Sequence, residues 1–492
     1  MSVLVRYPNI NRPLSKHHEF VTAIPLRVLQ IWEKEGAAKY HFNPVMNYAG
    51  KANKNINNNA STTGTMIDKA GNYYYVSHPQ FAYIFPYLVF KIFHIKASVL
   101  SLEIFHLVIN FFSAAFIYLI ICLLAIQKPF KKLFIPGLIG FVVYVFSPGV
   151  LWFQANTYMS DMVVQLPFIL AVYTMLKLLM RKRFYSTKYL LYYAFFLFLM
   201  IYTSWLGLFF AMAVFVYSIL KLRYQKVFIP LIFITIGVSF FTWILIFKQY
   251  SLINGSEAYI IQMLDRFSER GSLGGETIMG FFFRKLFELK TILLTYITSY
   301  LPIFILLAIF TWLSISKEKL GFIFTKHGIR FLWLSTLPVL FLHFVLMNYS
   351  GHDFVALYGG LFLAVVVGIL YAKLKQKKVI SAYLLNGGIV VTVIFSISMY
   401  YYINRPGEYS WKGDLYANSK NIGELIKENA HEDEVVYLTG NIILDPQLIV
   451  YAERNIVRIT EEEITKVLND TLGVCFIVGK DNNVIIKRKD DV

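Results

Sequence analysis

The chain alternates long apolar runs with short charged breaks, and the length of the runs sets the class of protein. A helix rises 1.5 Å per residue, so ~20 predominantly apolar residues cross the hydrocarbon core of a bilayer. Runs of about that length occupy Glu103–Ile126, Leu133–Trp152, Asp161–Met180, Lys188–Thr203 and Trp205–Leu222. Five more occupy Val227–Phe247, Thr291–Ser316, Arg330–Met347, Phe354–Ala372 and Val379–Tyr402. The pattern predicts a polytopic α-helical membrane protein with about ten spans.

The charged breaks orient these runs. Lys128, Lys131 and Lys132 share one break, and Arg181, Lys182, Arg183 and Lys188 another. Lys221, Arg223 and Lys226 follow, then Lys317, Lys319, Lys326 and Arg330, then Lys373, Lys375, Lys377 and Lys378. Every second break is basic, which marks those breaks as cytoplasmic. The intervening ones, 153–160, 248–290 and 348–353, then face outside, as do everything before Glu103 and everything after Tyr402. Gln80–Ile95 is apolar but short, holds Pro86 and carries Lys91, with Lys96 just beyond it, so it reads as a helix lying in the outer interface. A charged outer segment needs something to carry it across the membrane. The parity therefore predicts one more helix upstream, with 1–5 near its outer end.

Three regions result: 1–102 is a first outer segment with interfacial helices, 103–403 the transmembrane helical domain, and 404–492 a small outer α/β domain. In the last, Asp414 can cap a helix running to Glu428, and Val435–Leu438, Val474–Val478 and Val484–Ile486 read as strands. Asp445-Pro446 opens a short helix, Thr460 with Glu463 fits a capping box, and Lys480–Asn483 makes a turn.

Composition agrees. Of 492 residues, 57% are hydrophobic and only 15% charged, with mean hydropathy +0.55, where a soluble chain carries about 25% charge. The net charge of +18 resides in the short breaks, so it points to anionic lipid head groups and excludes a nucleic-acid partner. The two cysteines, Cys122 in a span and Cys475 in the tail, form neither a disulfide framework nor a zinc motif.

Four places carry candidate chemistry. His17-His18-Glu19-Phe20 opens an amphipathic helix reaching Glu35, with Pro25 inside it; Glu19 is either a functional carboxylate or a first-turn charge favoured by the helix dipole. His78-Pro79 begins the interfacial helix after a Gly/Tyr-rich loop, and His78 can hold a phosphate or a backbone carbonyl. Asp161 stands at the mouth of a span, where a carboxylate is costly unless it is paired, faces a cavity or caps the helix. His352 and Asp353 lie in Asn348–Phe354, where a lipid head group would meet the protein or a simple polar turn would suffice. His343 reads as a hydrogen-bonded packing residue.

In that order, these features resemble the GT-C superfamily of polyprenyl-phosphate-sugar-dependent glycosyltransferases, which includes protein O-mannosyltransferases and the aminoarabinose transferases of lipid A. Glu19 matches the acid of the family's first outer loop, His78-Pro79 its Lys/His-Pro-Pro-Leu motif and Asp161 its second outer-loop acid; Gln80 departs from the second proline, and the family's first helix is missing. The resemblance implies sugar transfer from a polyprenyl phosphate to a glycan, lipid or protein acceptor, with inversion, at the outer face of a bacterial inner membrane. It implies Glu19 as general base and Asp161 in support, with His18, His78, His352 and Asp353 on phosphate or sugar. A divalent metal ion is compatible with this chemistry, but the sequence names no full ligand set. The alternatives are a transporter or flippase of envelope lipids or glycans, or a non-catalytic envelope-assembly scaffold. The acidic groups gather near the outer ends of the spans rather than at mid-depth, which argues against a transporter.

Overall fold

The computed structural model describes residues 1–48, 50, 53–57, 63–125, 130–180, 186–223, 228–271, 278–317, 325–403, 418–432, 434–440, 442–470, 475–480 and 483–488. Lys128, Arg181, Lys182, Arg183, Lys226, Lys319, Asp414, Asp481 and Asn482, which the sequence reading used, lie outside them.

Apolar helices stand at all ten expected places, and seven are long and apolar enough to cross a membrane. The other three, Phe130–Val145, Thr187–Thr203 and Leu206–Leu222, have 16, 17 and 17 residues. The first is shorter than its apolar run because Pro148, which has no N–H to continue the ladder, starts a separate helix Pro148–Phe153. Helix Phe81–Ile92 has 12 residues, a rise of only ~18 Å, too short for a span. Its Pro86 lies inside it without ending it.

The expected outer loop 248–290 is instead mostly helical. Helix Phe228–Gly271 bends at Asn254 and Gly255, where Gly255 takes φ +87°, a conformation that costs a glycine little. The chain then resumes as helix to Gly271, and Ile278–Lys317 follows. Tyr259 and Met263, one turn apart, keep this extension against the protein, and Arg266 and Arg270 ride on it one turn apart.

In the first segment, helix Phe20–Glu35 contains Pro25, which does not break it, and it packs on helix Phe81–Ile92. The Gly/Tyr-rich stretch is not a plain loop: Thr65–Ile67 and Tyr73–Tyr75 pair as an antiparallel hairpin. The Asp68 carboxylate closes its turn by accepting from the Ala70 and Asn72 amides at 2.8 and 2.9 Å.

The tail forms a four-stranded sheet in the order Ile456–Arg458, Val436–Gly440, Cys475–Lys480, Asn483–Arg488, with only the last pair antiparallel. Helix Pro446–Ala452 begins as its sequence suggests, with Asp445 accepting from the Leu448 amide at 2.6 Å, and Thr460 with Glu463 makes its capping box. This helix rests on Phe20–Glu35. The Leu14 amide donates to the Tyr451 hydroxyl at 2.9 Å, and Lys34 reaches Glu432 and Glu453, each at 3.1 Å. The tail thus buttresses the segment that carries the His17-His18-Glu19 turn.

Candidate active site

Glu19 sits at the N-cap of helix Phe20–Glu35 but does not bond to that helix's amides. Its carboxylate turns back to the preceding loop. One oxygen accepts from Arg12 at 2.9 Å and from the Ser15 and Lys16 amides at 2.8 Å, and the other accepts from the second Arg12 nitrogen. Both carboxylate oxygens are thus engaged, three donors on one and one on the other, and only 1% of the residue is exposed. By closing residues 12–19 into a tight loop, Glu19 sets the position of the two histidines before it.

Those histidines converge on Asp353. His17 Nε2 lies 2.5 Å from one Asp353 oxygen and His18 Nε2 2.8 Å from the other. His18 takes φ +56°, a sparsely populated region for a residue with a Cβ. The Trp152 indole donates to the His17 carbonyl at 3.1 Å, and Phe20, Phe153 and Phe354 wall in the His18 ring. The ligand-type atoms of His17, His18 and Asp353 all lie within 4.8 Å of one another, close enough to share one metal ion. His352 stacks on Phe354 at 5.2 Å and stands 6.1 Å, ring to ring, from His18.

A second cluster lies beyond Tyr349, whose ring is 6.0 Å from His352. Asp161 is fully buried inside the first helical turn after Met159, and neither it nor Ser160 caps the helix with its side chain. One Asp161 oxygen accepts from the hydroxyls of both Tyr349 and Tyr358. The other has no hydrogen-bond partner among the described residues. The Arg270 guanidinium lies over the Tyr349 ring, 4.1 Å from its centroid, and 3.5 Å from His78 Nε2. His78 Nδ1 meets the Ser160 hydroxyl at 3.0 Å, and the Tyr250 hydroxyl donates to the His78 carbonyl. Burial holds His78 well below the usual histidine range, and Arg270 and Arg266 add to this by disfavouring a further cation. His78 is therefore neutral at neutral pH.

Arg270 is 9% exposed, and no carboxylate forms an ion pair with it among the described residues. Its neighbour Arg266 is held by Glu269 at 2.7 Å and donates to the Thr63 hydroxyl at 3.0 Å. Both arginines line an apolar cavity of ≈ 350 Å³ walled by Trp205, Phe209, Trp243 and Leu346. A second apolar cavity, ≈ 910 Å³, shares Phe267 and Val345 with the first and runs along Leu286, Leu289 and Phe344. A third, ≈ 630 Å³, carries Glu269, Arg284, Glu288, Asn348 and His352.

The residues singled out from sequence therefore fall into three places. His18, Asp353 and His352 meet in one cluster, His78 and Asp161 in the second, and Glu19 is tied off in the loop beneath the first. His343 accepts or donates a 2.8 Å hydrogen bond with the Tyr296 hydroxyl, as a packing residue should. Sequence reasoning missed Arg12, Arg266, Arg270, Tyr349 and Tyr358. The i, i+4 spacing of Arg266 and Arg270 on an amphipathic stretch was the only local signal, and the stretch had been read as loop.

No protein-family model matches the chain, and no curated protein does. Solved structures do match it in fold. ArnT from Cupriavidus metallidurans, bound to undecaprenyl phosphate, aligns over 98% of this chain and 92% of its own with TM-score 0.62 and 11% identity. The archaeal oligosaccharyltransferase AglB from Archaeoglobus fulgidus, in complex with an inhibitory peptide and a dolichol-phosphate, aligns over 93% of this chain with TM-score 0.58 and 11% identity. The match spans 63% of the AglB chain. An AglB complex with Zn and sulfate gives TM-score 0.58, 12% identity, 93% of this chain and 61% of that one. By class this is a helical membrane protein with a buried polar site beside apolar cavities. Its fold is shared with ArnT and AglB.

Proposed function

We propose that the chain is an integral-membrane glycosyltransferase that takes sugar from a polyprenyl phosphate and passes it, with inversion, to an acceptor hydroxyl on the outer side of a bacterial inner membrane. The observation that carries this reading is Arg270: a nearly buried guanidinium with no carboxylate counter-ion among the described residues, in the wall of an apolar cavity. A buried cation needs an anion, and an apolar chamber ending in that cation suits an anionic head on a long hydrocarbon tail. ArnT and AglB, with the same fold, have been seen with undecaprenyl and dolichol phosphates.

In this reading Arg270, Arg266 and neutral His78 hold the phosphate and receive the charge that grows on it as the glycosidic bond breaks. Asp161, one phenol away from Arg270, keeps an oxygen open to accept the proton of the attacking hydroxyl. Glu19, the acid suggested by sequence order, has both oxygens engaged by Arg12 and the amides of its own loop; its part is to position the histidine turn. The polar cavity bearing Asn348, Glu288 and His352 offers room for the sugar or the acceptor.

Binding of undecaprenyl phosphate to the purified chain in detergent, followed by native mass spectrometry, tests the reading. Saturable binding should weaken about 10²–10³-fold in Arg270→Ala and recover partly in Arg270→Lys. If the uncharged prenol binds as tightly as its phosphate, the anionic-head argument fails.

A further inference from the structure

We infer that His17, His18 and Asp353 form a site for a zinc-class divalent metal ion. The proposed sugar transfer does not require it, and only the ion's role, not its binding, rests on that reading. The donor set is two imidazole nitrogens and one carboxylate, which suits a borderline transition ion and not magnesium, whose preferred ligands are oxygens.

The local geometry favours an ion over a plain hydrogen-bonded cluster. His18 Nε2 and Asp353 Oδ1 approach to 2.8 Å, yet that oxygen has no well-aligned hydrogen-bond donor among the described residues, so the two atoms face each other out of line. His18 Nδ1 is likewise buried without a partner among the described residues. Both histidine nitrogens point at one carboxylate from a backbone turn that holds His18 at φ +56°, and the Arg12–Glu19 pair and the Trp152–His17 bond fix that turn from behind. Supporting bonds of this kind are what keep ligands aimed at an ion. Ligand atoms on one zinc lie about 3.3 Å apart, so the two contacts to Asp353, at 2.5 and 2.8 Å, have only to lengthen slightly to admit it.

The exposures of His17, His18 and Asp353, 11%, 14% and 20%, leave one side of the cluster open. His352 and the polar cavity lie on the way to Arg270. An ion held by three protein ligands keeps a coordination position for an oxygen of the substrate, where it acts as a Lewis acid.

The test uses the full chain with no polyhistidine tag, purified in detergent, stripped with chelator and titrated with zinc chloride. Metal analysis should return about one zinc per chain, with a rise in Tm that magnesium does not reproduce. His18→Gln and Asp353→Asn should each weaken zinc binding roughly a hundredfold or more, and His431→Gln in the tail should not. No zinc uptake by the wild-type chain, or equal uptake by the His18 and Asp353 variants, overturns the site. Because the readout is metal content, the two proposals part cleanly: zinc uptake without lipid-phosphate binding upholds this site and removes the proposed reaction. Lipid-phosphate binding by a chain that takes up no zinc does the reverse.

Discussion

Glu19 and Asp161 are both buried carboxylates at helix starts, and their surroundings put them to opposite uses. Glu19 is surrounded by donors from its own loop: one guanidinium and two backbone amides engage both of its oxygens. Asp161 is met by two phenols on one oxygen only, both from the stretch Tyr349–Tyr358, and the second oxygen has no partner among the described residues. A carboxylate with both oxygens held by its own loop stabilises that loop. One that is buried with an acceptor open is held in place and still able to take a proton or a hydrogen bond. Burial alone does not separate the two, since both are at most 1% exposed; the direction from which donors arrive does.

The sharpest way to break this contrast is to neutralise each acid in turn. Asp161→Asn should lower sugar transfer about 10²–10⁴-fold with expression and Tm close to wild type, whereas Glu19→Gln should change transfer only in proportion to the folded fraction. Turnover measured alongside Tm for both variants decides it. Equal losses of turnover at unchanged Tm would dissolve the distinction.

Next in size is the stability side. Glu19→Ala leaves the Arg12 guanidinium, 16% exposed, without its partner and frees two amides. Stripping one member of a largely buried pair costs about 3–5 kcal/mol, so a marked fall in Tm in detergent is expected. Arg12→Ala leaves a carboxylate that is only 1% exposed and should lower Tm by a comparable amount.

A smaller effect isolates the Asp161 pocket. Tyr358→Phe removes one of two donors to the same oxygen, a hydrogen bond to a charged group worth about 1.5–3 kcal/mol. It should reduce turnover moderately and leave lipid-phosphate binding intact, because Tyr358, unlike Tyr349, does not carry Arg270. Loss of lipid binding in Tyr358→Phe would show that the two parts of the pocket are not separable.

The smallest expected effect is in pH. His78 is held neutral by burial and by Arg270 and Arg266, so its folded pKa lies below the unfolded value. His352 acts in the same direction, and Ser160, Tyr75, Tyr250 and Tyr349, which also face it, bring no carboxylate. Below the unfolded pKa of about 6.5 the unfolded chain binds a proton that the folded chain refuses, so stability falls as pH drops through that window and none is lost above it. The slope is at most ~1.4 kcal/mol per pH unit. Between pH 7.5 and 5.5 the Tm of the wild type should fall further than that of His78→Gln. Parallel curves would mean that His78 is protonated in the fold.

The sequence by itself determined a good deal of this protein. The apolar runs located helices at all ten expected places, seven of them long and apolar enough to cross a membrane, because the bilayer fixes both the length and the polarity of whatever crosses it. The short run with Pro86 proved to be a helix of twelve residues, and Asp445-Pro446 and Thr460/Glu463 capped what they were expected to cap, since these signals act within one turn. His78, Asp161, His352 and Asp353 drew notice because polar groups next to apolar runs are costly to keep.

What only the tertiary structure decided is which of these groups have donors to spare. Asp161 gains its phenols from nearly two hundred residues away, and Asp353 gains its histidines from the far end of the chain. Arg270 matters because a helix continues past its bend at Gly255 where the charge pattern suggested a loop. Hydrophobic periodicity is a local property that a sequence displays directly. The filling of a carboxylate's lone pairs depends on atoms delivered by other elements, and no spacing along the chain encodes that.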